Sequence, residues 1–520
     1  MKKQILIICT LLLSYHTAAA YTIVDINDPN TWTYTQMKQY IGQTVQFSCP
    51  MYVTNSANSL TISPRRIFTP TNQAIPLSDE YNALLNANAY ATITLSNVGG
   101  DHRTGERIHD LVVKVTSQNY VEFISGTWRG NSRAELQKGY NLQHICMRGE
   151  PSIIVCTINL EYYLVDNLGT GYGPDSYNQH QKQRTKVSNA LANIDADIYG
   201  FVEIEQGQNA LKELAEDLSI NTGRPFTYID DGGSAHGSYT KAGFVYCTDI
   251  VEPYGKLREN NEGVQQRKKT QAFIERATGE KFLLSINHFK AKSGKGYGDN
   301  ADQGDGQGTF NGDRVREAKS VINHYYNDSK YYDDPDILIM GDLNAYAMED
   351  PITTLRDAGM IDLHRAFHAD SSYSYVYRAQ AGYLDHALCN STLYPQVTGM
   401  LAYHINSDEN DKYTYDKSND QTMFRCSDHD PIIVGLKLDS TNTHIPDIIV
   451  KQAEIKYKHC TPYIYNANGG YYIIYRLDGH TCLQQSVTSE EQAIPTLRQG
   501  LYIINIYANG HCTQTKLIIP

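Results

Sequence analysis

The sequence predicts an α/β layered core flanked on either side by a smaller all-β unit, and three observations predict it. Between about residues 149 and 438, continuous apolar runs of the kind buried on both faces alternate with amphipathic stretches. Outside that span the chain breaks into short alternating runs separated by Asn, Pro and Gly turns. The length, 520 residues, exceeds what one ordinary domain holds.

Residues 1–20 read as a secretory signal peptide. Lys2 and Lys3 precede the apolar run Ile5 to Leu13, and Thr17-Ala18-Ala19-Ala20 offers small residues for cleavage before Tyr21. Cys9 lies inside the apolar run and away from the cleavage point, which argues against a lipid anchor. No later stretch is apolar and long enough to span a bilayer. The expected location is secreted, extracellular or at the cell surface. Export permits disulfides, and the expected bridges are Cys146 with Cys156 and two among Cys460, Cys482 and Cys512. No CxxC pair occurs, so a zinc site is not expected.

The formal charge is −12, and it becomes −14 once Lys2 and Lys3 leave with the leader. A long basic track for nucleic acid is therefore not expected; a polyanion must be engaged through local Lys/Arg patches and bound cations, in a salt-sensitive way. The 40 tyrosines, against 12 Phe and 2 Trp, are spread along the whole chain and read as half-buried strand residues, not as a base-stacking surface.

Residues 21–140 hold alternating runs such as Thr44-Val45-Gln46-Phe47 and Tyr90 to Leu95, which predict a small β barrel or sandwich. In the core span, Ile153 to Leu160, Ile198 to Ile204, Phe244 to Tyr246, Phe282 to Asn287 and Ile337 to Met340 read as buried strands. Lys186 to Ile194, Ala210 to Leu218 and Arg314 to Tyr325 read as amphipathic helices. Charged motifs sit at the strand ends, where loops gather into one cleft.

Asn159 ends the first run and can hold a phosphate oxygen or a metal water, or simply cap a loop. Glu203 lies within an apolar strand, where a carboxylate is costly unless neutralised; a hard cation with oxygen ligands does that. Glu205 shares its face by period two, as a second ligand or a solvent-facing acid. His288 closes another strand, with Lys290 and Lys292 after it, a grouping suited to the negative charge of a phosphoryl transition state. Arg267 offers a further cation for phosphate, though a charged loop is as simple a reading. Gly341-Asp342-Leu343-Asn344 places an acid and a carboxamide at a strand exit, able to fix a water and a phosphate oxygen at set separation. Asp385, inside Tyr383-Leu384-Asp385-His386-Ala387-Leu388, is suited to fixing the tautomer of an imidazole, and His429 in Ser427-Asp428-His429-Asp430 is the candidate partner.

Eight blocks occur in the order seen in secreted bacterial extracellular nucleases of the endonuclease/exonuclease/phosphatase superfamily, and this segment resembles them. They are Glu203 in Phe-Val-Glu-Ile-Glu, Asn287-His288-Phe289-Lys290, Asp302 to Gly308, Gly341 to Tyr346, Glu349-Asp350-Pro351-Ile352, Tyr383 to Leu388, His404-Ile405-Asn406 and Ser427 to Asp430. The resemblance implies a four-layer α/β sandwich over residues 149–438 and a hydrolase attacking a phosphodiester in line with an activated water. It implies that Glu203 binds Mg²⁺, with Mn²⁺ as an alternative, Asn159 nearby and Asp428 orienting a histidine or touching metal. Asp342 and Asn344 orient water and phosphate, His429 held by Asp385 acts as base or phosphate-stabilising imidazole, and His288 faces it across the scissile bond. Arg267 and Lys290 contact substrate phosphate. The implied substrate is extracellular DNA, with RNA open, and the chain is expected to act as a monomer.

Two departures stand out. Pancreatic-type deoxyribonucleases pair the first histidine with a glutamate on a preceding strand, yet Ser238 to Gly243 has no acid. The Asp302 to Gly308 loop offers a structural Ca²⁺ site but lacks a full Ca²⁺-loop pattern, and a flexible loop beside the substrate is the simpler expectation.

Ile41 to Val45 and His102 to Glu106 are similar to the oligonucleotide-binding (OB) fold region that precedes the catalytic domain in such nucleases. Residues 441–520 predict a β-sandwich, and Gly500 to Tyr507 with Lys516 to Pro520 resembles a C-terminal sorting domain that engages secretion machinery. The same superfamily scaffold serves sphingomyelinases and inositol-phosphate phosphatases, so lipid or sugar phosphates stand as the alternative substrates, and a non-catalytic binding protein as the second class.

Overall fold

Two six-stranded sheets meet face to face in the middle of the chain. The first runs in the order Phe226–Tyr228, Thr240–Cys247, Ile198–Glu205, Ile153–Tyr163, Ile432–Leu436, Val397–Ala402. The second runs Val251–Asn260, Lys268–Glu275, Lys281–His288, Ile337–Asp342, Asp385–Cys389, Ile361–Asp362. The structure, a computed structural model, describes residues 21–519 apart from 57–59, 234–238, 261–267, 439–453, 459–460, 468–469, 477–480, 490, 496 and 509–510. The signal-peptide segment and Arg267 thus lie outside the described residues.

The strands are near-continuous apolar runs because both faces are covered. Val155, Val202, Ile432 and Val434 of the first sheet pack against Leu284, Ile286, Leu338 and Met340 of the second. Gly200 permits this approach, since a Cβ there would lie 2.3 Å from the Ile286 Cδ1. On the outer face of the first sheet, helices Tyr177–Ile194 and Asn209–Thr222 bury Val187, Leu191, Leu211 and Leu214. On the outer face of the second, Asn311–Tyr332 and Asp350–Asp357 bury Val321, Ile352 and Leu355. The core is therefore helix, sheet, sheet, helix.

Helix Tyr177–Ile194 begins nine residues before the Lys186 start that apolar spacing suggests. Its first half buries polar groups: His180 against Glu213, and Gln183, whose amide donates to the Leu160 carbonyl at 3.2 Å. Hydrophobic periodicity cannot see such a face.

In the N-terminal unit, Arg107–Ser117, Met51–Asn55, Thr61–Ser63, Ile93–Ser96 and Tyr120–Arg129 pair in sequence, and the last pairs back onto the first. Trp32, Val45, Phe47, Ile62, Ile93 and Val113 fill its interior. At the other end, a three-stranded and a four-stranded sheet share a core of Ile464, Tyr472, Ile474, Ile504, Ile506 and Leu517.

Arginines of the N-terminal unit close on two buried acids of the core. Arg66 reaches Asp408 at 3.2 Å, Arg103 reaches Glu409 at 2.5 Å, and Arg133 also bonds Glu409. Asn131 donates to Asp408 at 2.7 Å. Nearby, Thr71 donates to Glu349 at 2.9 Å and Asn72 accepts the Tyr383 N–H at 3.1 Å.

The expected Cys146–Cys156 bridge is absent. Both thiols are free: Cys156 is buried in the core, while the Cys146 thiol lies 3.5 Å from Glu150. Cys482 is free too, and Cys460 lies outside the described residues. No described helix is long and apolar enough to cross a membrane.

Candidate active site

Sheet register assembles the centre. Strands Lys281–His288 and Ile337–Asp342 run parallel with His288 opposite Asp342, and Asp385–Cys389 runs antiparallel with Asp385 opposite Asp342. Three side chains from three adjacent strands thus leave the same face in one row. That face is the inner one, shared with Ile286, Met340 and Ala387. Gly341 makes the register feasible: its φ is +125°, and a Cβ would lie 2.0 Å from the Asn287 carbonyl oxygen.

The first sheet supplies the opposite wall. Strict alternation would send Glu203 outward with Tyr199 and Phe201, toward the helices. Glu203 instead takes φ +58°, and the neighbouring strand bulges between Asn159 and Tyr163, with Glu161 and Tyr162 at φ +50° and +57°. The Glu203 carboxylate consequently turns into the cleft, 3.7 Å from His288 Nε2, and accepts the Tyr162 N–H at 3.1 Å. The same break moves Glu205 elsewhere. It is buried and accepts the N–H groups of Val165, Asp166 and Asn167 at 2.7–2.8 Å, so it anchors a loop instead of joining the site.

His429 Nδ1 lies 2.7 Å from Asp385 Oδ2, which also accepts the Ser374 hydroxyl at 2.7 Å. The Tyr375 ring stacks on the imidazole at 4.7 Å. With Nδ1 engaged, Nε2 faces the cleft, 3.9 Å from Asp342 Oδ2 and from Asp428 Oδ1. His288 Nε2 approaches Asp342 Oδ2 at 3.7 Å. Asp342 is itself oriented by three donors: the Asn344 N–H at 2.9 Å, the Asn344 amide at 3.3 Å and the Asn159 amide at 3.1 Å. Asn344, at φ +49°, also donates to the Phe289 carbonyl at 3.1 Å.

Burial pushes the Asp342 carboxyl up to about 7 against the opposing pull of His429. Burial works against charge on His429 as well, but Asp385, Asp428 and Asp342 together hold the imidazole well above its ordinary value. Glu161, beside the same cleft, is pushed up to about 8 by burial and by the Asp428 charge. Glu161 lies two residues after Asn159 at the strand exit, a signal of the kind that singled out Glu203. Ser374 and Tyr375 carry no sequence signal of their role.

Lys290 lies at the edge of this arrangement, held by contacts within the protein. Its ammonium rests over the Phe310 ring at 4.6 Å while its N–H is held by Glu317 at 2.7 Å. In the Asp302 to Gly308 loop, Asp302 accepts the Gly304 N–H, and Asp305 accepts both the N–H and the amide of Gln307, each at 2.9 Å. Gln307 in turn accepts the Asp350 N–H at 2.8 Å. Those acids brace the loop, and no group of three or more of its acids closes into a metal-ligand cluster among the described residues. The His404 block is structural as well: His404 meets Asp430 at 2.9 Å, and Asn406 holds the His429 carbonyl at 2.7 Å.

The cleft fits a hard divalent cation. Asp342 feels the Glu203 charge, Glu161 feels those of Asp428 and Glu203, and the raised carboxyls of Asp342 and Glu161 are groups that a cation would relieve. Ligand atoms of Asp342, Asp385 and His429 also lie within 4.8 Å of one another, but Asp385 already serves the imidazole and Ser374. A hollow of about 830 Å³ lined by Tyr228, Asp231, Tyr246 and Glu259 holds none of the candidate residues.

The model of the endonuclease/exonuclease/phosphatase family matches residues 156–429. No curated protein matches the sequence. Among solved structures, the human nocturnin catalytic domain with bound sulfate is 12% identical, with 55% of this chain and 94% of that chain covered and a TM-score of 0.37. A mannosyl-6-phosphatase of Bacteroides thetaiotaomicron is 16% identical, with 55% and 100% covered and a TM-score of 0.36. D. rerio TDP2 complexed with single-strand DNA product is 14% identical, with 55% and 99% covered and a TM-score of 0.36. Since the family match spans more than half of the sequence and contains the whole histidine and carboxylate cleft, the chain belongs to the endonuclease/exonuclease/phosphatase family, hydrolases of phosphate esters that typically use a divalent metal.

Proposed function

We propose that this hydrolase is a secreted, Mg²⁺-dependent nuclease that cleaves phosphodiester bonds of extracellular DNA by in-line attack of water. One observation carries the reading: two histidines approach a single carboxylate oxygen, with His288 Nε2 at 3.7 Å and His429 Nε2 at 3.9 Å from Asp342 Oδ2. A phosphodiester has an attacking, a leaving and a charged phosphoryl oxygen to serve, and the carboxylate with its two imidazoles gives each a partner. Export rests on the leader-like residues 1–20.

Glu203, Asp342 and Asp428 would hold a divalent cation, which when bound would neutralise charge on the phosphate and make water a better nucleophile. The protein's own groups do the rest. Asp385 accepts the His429 Nδ1–H, and together with Asp428 and Asp342 it holds the ring protonated, so Nε2–H donates to a phosphoryl oxygen. Asp342, held by Asn344 and Asn159, orients the attacking water and receives its proton at a carboxylate oxygen. His288 gives a proton from Nε2 to the departing oxygen. Glu203, adjacent to His288, takes the place of the glutamate missing from the preceding strand as its acidic neighbour.

The test incubates the full chain with supercoiled plasmid, single-stranded RNA and sphingomyelin, each with Mg²⁺ or EDTA. Plasmid nicking that requires the metal is expected, and His429→Ala should lower it by roughly 100- to 10,000-fold. Cleavage undiminished in EDTA, or turnover of sphingomyelin alone, would sink the proposal.

A further inference from the structure

Between strand Ile153–Tyr163 and helix Tyr177–Ile194 the chain reads Gly169-Thr170-Gly171-Tyr172-Gly173-Pro174, one aromatic residue set among glycines. Glycine-dense loops are usually slack, yet this one is fixed at both ends. At its start, Glu205 takes three consecutive N–H groups of residues 165–167 and the Asn167 amide at 2.6 Å. At its end, the Asp175 N–H donates to Gln179 at 2.6 Å, and Ser176 caps the following helix. Across the loop, the Gly169 N–H bonds the Pro174 carbonyl at 3.1 Å. Gly173 has φ +63°, and a Cβ there would lie 2.4 Å from the Tyr162 carbonyl oxygen, so a glycine lets the loop lie down on Tyr162.

The outcome is a pair of stacked rings, Tyr172 on Tyr162, with centroids 4.9 Å apart and planes 21° from parallel. Tyr162 is tied to the cleft, because its N–H bonds the Glu203 carboxylate. Tyr172 leaves 54% of its surface open. An exposed ring adds little to folding, yet its loop is anchored at both ends, which indicates another use.

We propose that the Tyr162–Tyr172 pair is a stacking subsite for the nucleobase next to the scissile phosphate. The inference rests on the nuclease reading above and adds where the base goes. Stacking tolerates any base, because every base has a π face, so the subsite would confer preference for an unpaired or splayed nucleotide over a particular sequence.

The experiment measures kcat/KM of the full chain with Mg²⁺ on a short single-stranded oligodeoxynucleotide, and on the same oligonucleotide with abasic residues flanking one labelled phosphodiester. The unaltered enzyme should prefer the base-bearing site by roughly five- to a hundredfold. Tyr172→Ala should bring that ratio close to one, and Tyr172→Phe, which keeps the ring, should preserve it. A ratio unchanged in Tyr172→Ala, or lost equally in Tyr172→Phe, overturns the subsite alone. Failure of the unaltered enzyme to cleave either oligonucleotide overturns the nuclease reading and the subsite with it.

Discussion

Asp342 carries the sharpest chemical consequence in the molecule. Its carboxyl and that of Glu161 sit near 7 and 8, so at neutral pH without metal both hold protons for part of the time. A carboxyl raised in the folded state stabilises the fold below its ordinary value near 4, and that contribution fades as pH rises toward 7 and 8. A bound cation reverses the loss by pairing with the ionised form and displacing the proton. The gain in Tm on adding saturating Mg²⁺ should therefore be larger at pH 8 than at pH 6, and Glu161→Gln should narrow the difference. A metal-induced shift that is the same at both pH values would contradict this account. At this scale the sequence was informative where a side chain stood at the end of an apolar run, as with His288, Asp342 and Asp385. It was silent on Ser374 and Tyr375, whose places beside Asp385 and His429 come from a hairpin folding over the site.

Among elements, the strand ending in Asp342 shows how register becomes chemistry. Its parallel partner brings His288 and its antiparallel partner brings Asp385, and both alignments depend on the backbone passing Gly341 at φ +125°. Gly341→Ala should destabilise the protein by about 2 kcal/mol or more, with loss of activity, because a Cβ there strains the backbone and meets the Asn287 carbonyl oxygen. Urea unfolding measures this; a midpoint equal to that of the unaltered chain would refute it. The strands and helices of the core were legible because both sheet faces are apolar. The bulge at Glu161–Tyr162 and the turn at Glu203 were not, since a single left-handed residue leaves no mark in a hydrophobic pattern. Period-two counting placed Glu205 beside Glu203 for that reason, whereas it braces the Tyr172 loop. In the Asp302 to Gly308 loop the acids serve the loop's own backbone and amides, Asp302 through the Gly304 N–H and Asp305 through Gln307.

Over the whole molecule, the N-terminal unit is fastened to the catalytic core by charge. Asp408 and Glu409 are buried beneath Arg66, Arg103 and Arg133, and stripping those arginines would leave two acids without cations. Residues 149–438 expressed alone should accordingly melt well below the full chain or fail to fold, as followed by circular dichroism. A cooperative melt with the Tm of the full chain would disprove that. Composition suggested a division into segments but gave no sign of this fastening, because the arginines look like ordinary surface charge until the fold brings them to residues some 300 positions away.

The same seam reaches the reaction centre. Ile67 and Thr69 exchange backbone bonds with Ala381 at 2.8 Å, on the hairpin whose other strand carries Tyr375 against His429. For anyone building chimaeras, the leading unit is not an exchangeable accessory. A graft that replaced Ile67 to Asn72 without matching changes at 346–349 and 381–383 would detune the imidazole from a distance, so inheritance of the two parts is expected to be linked.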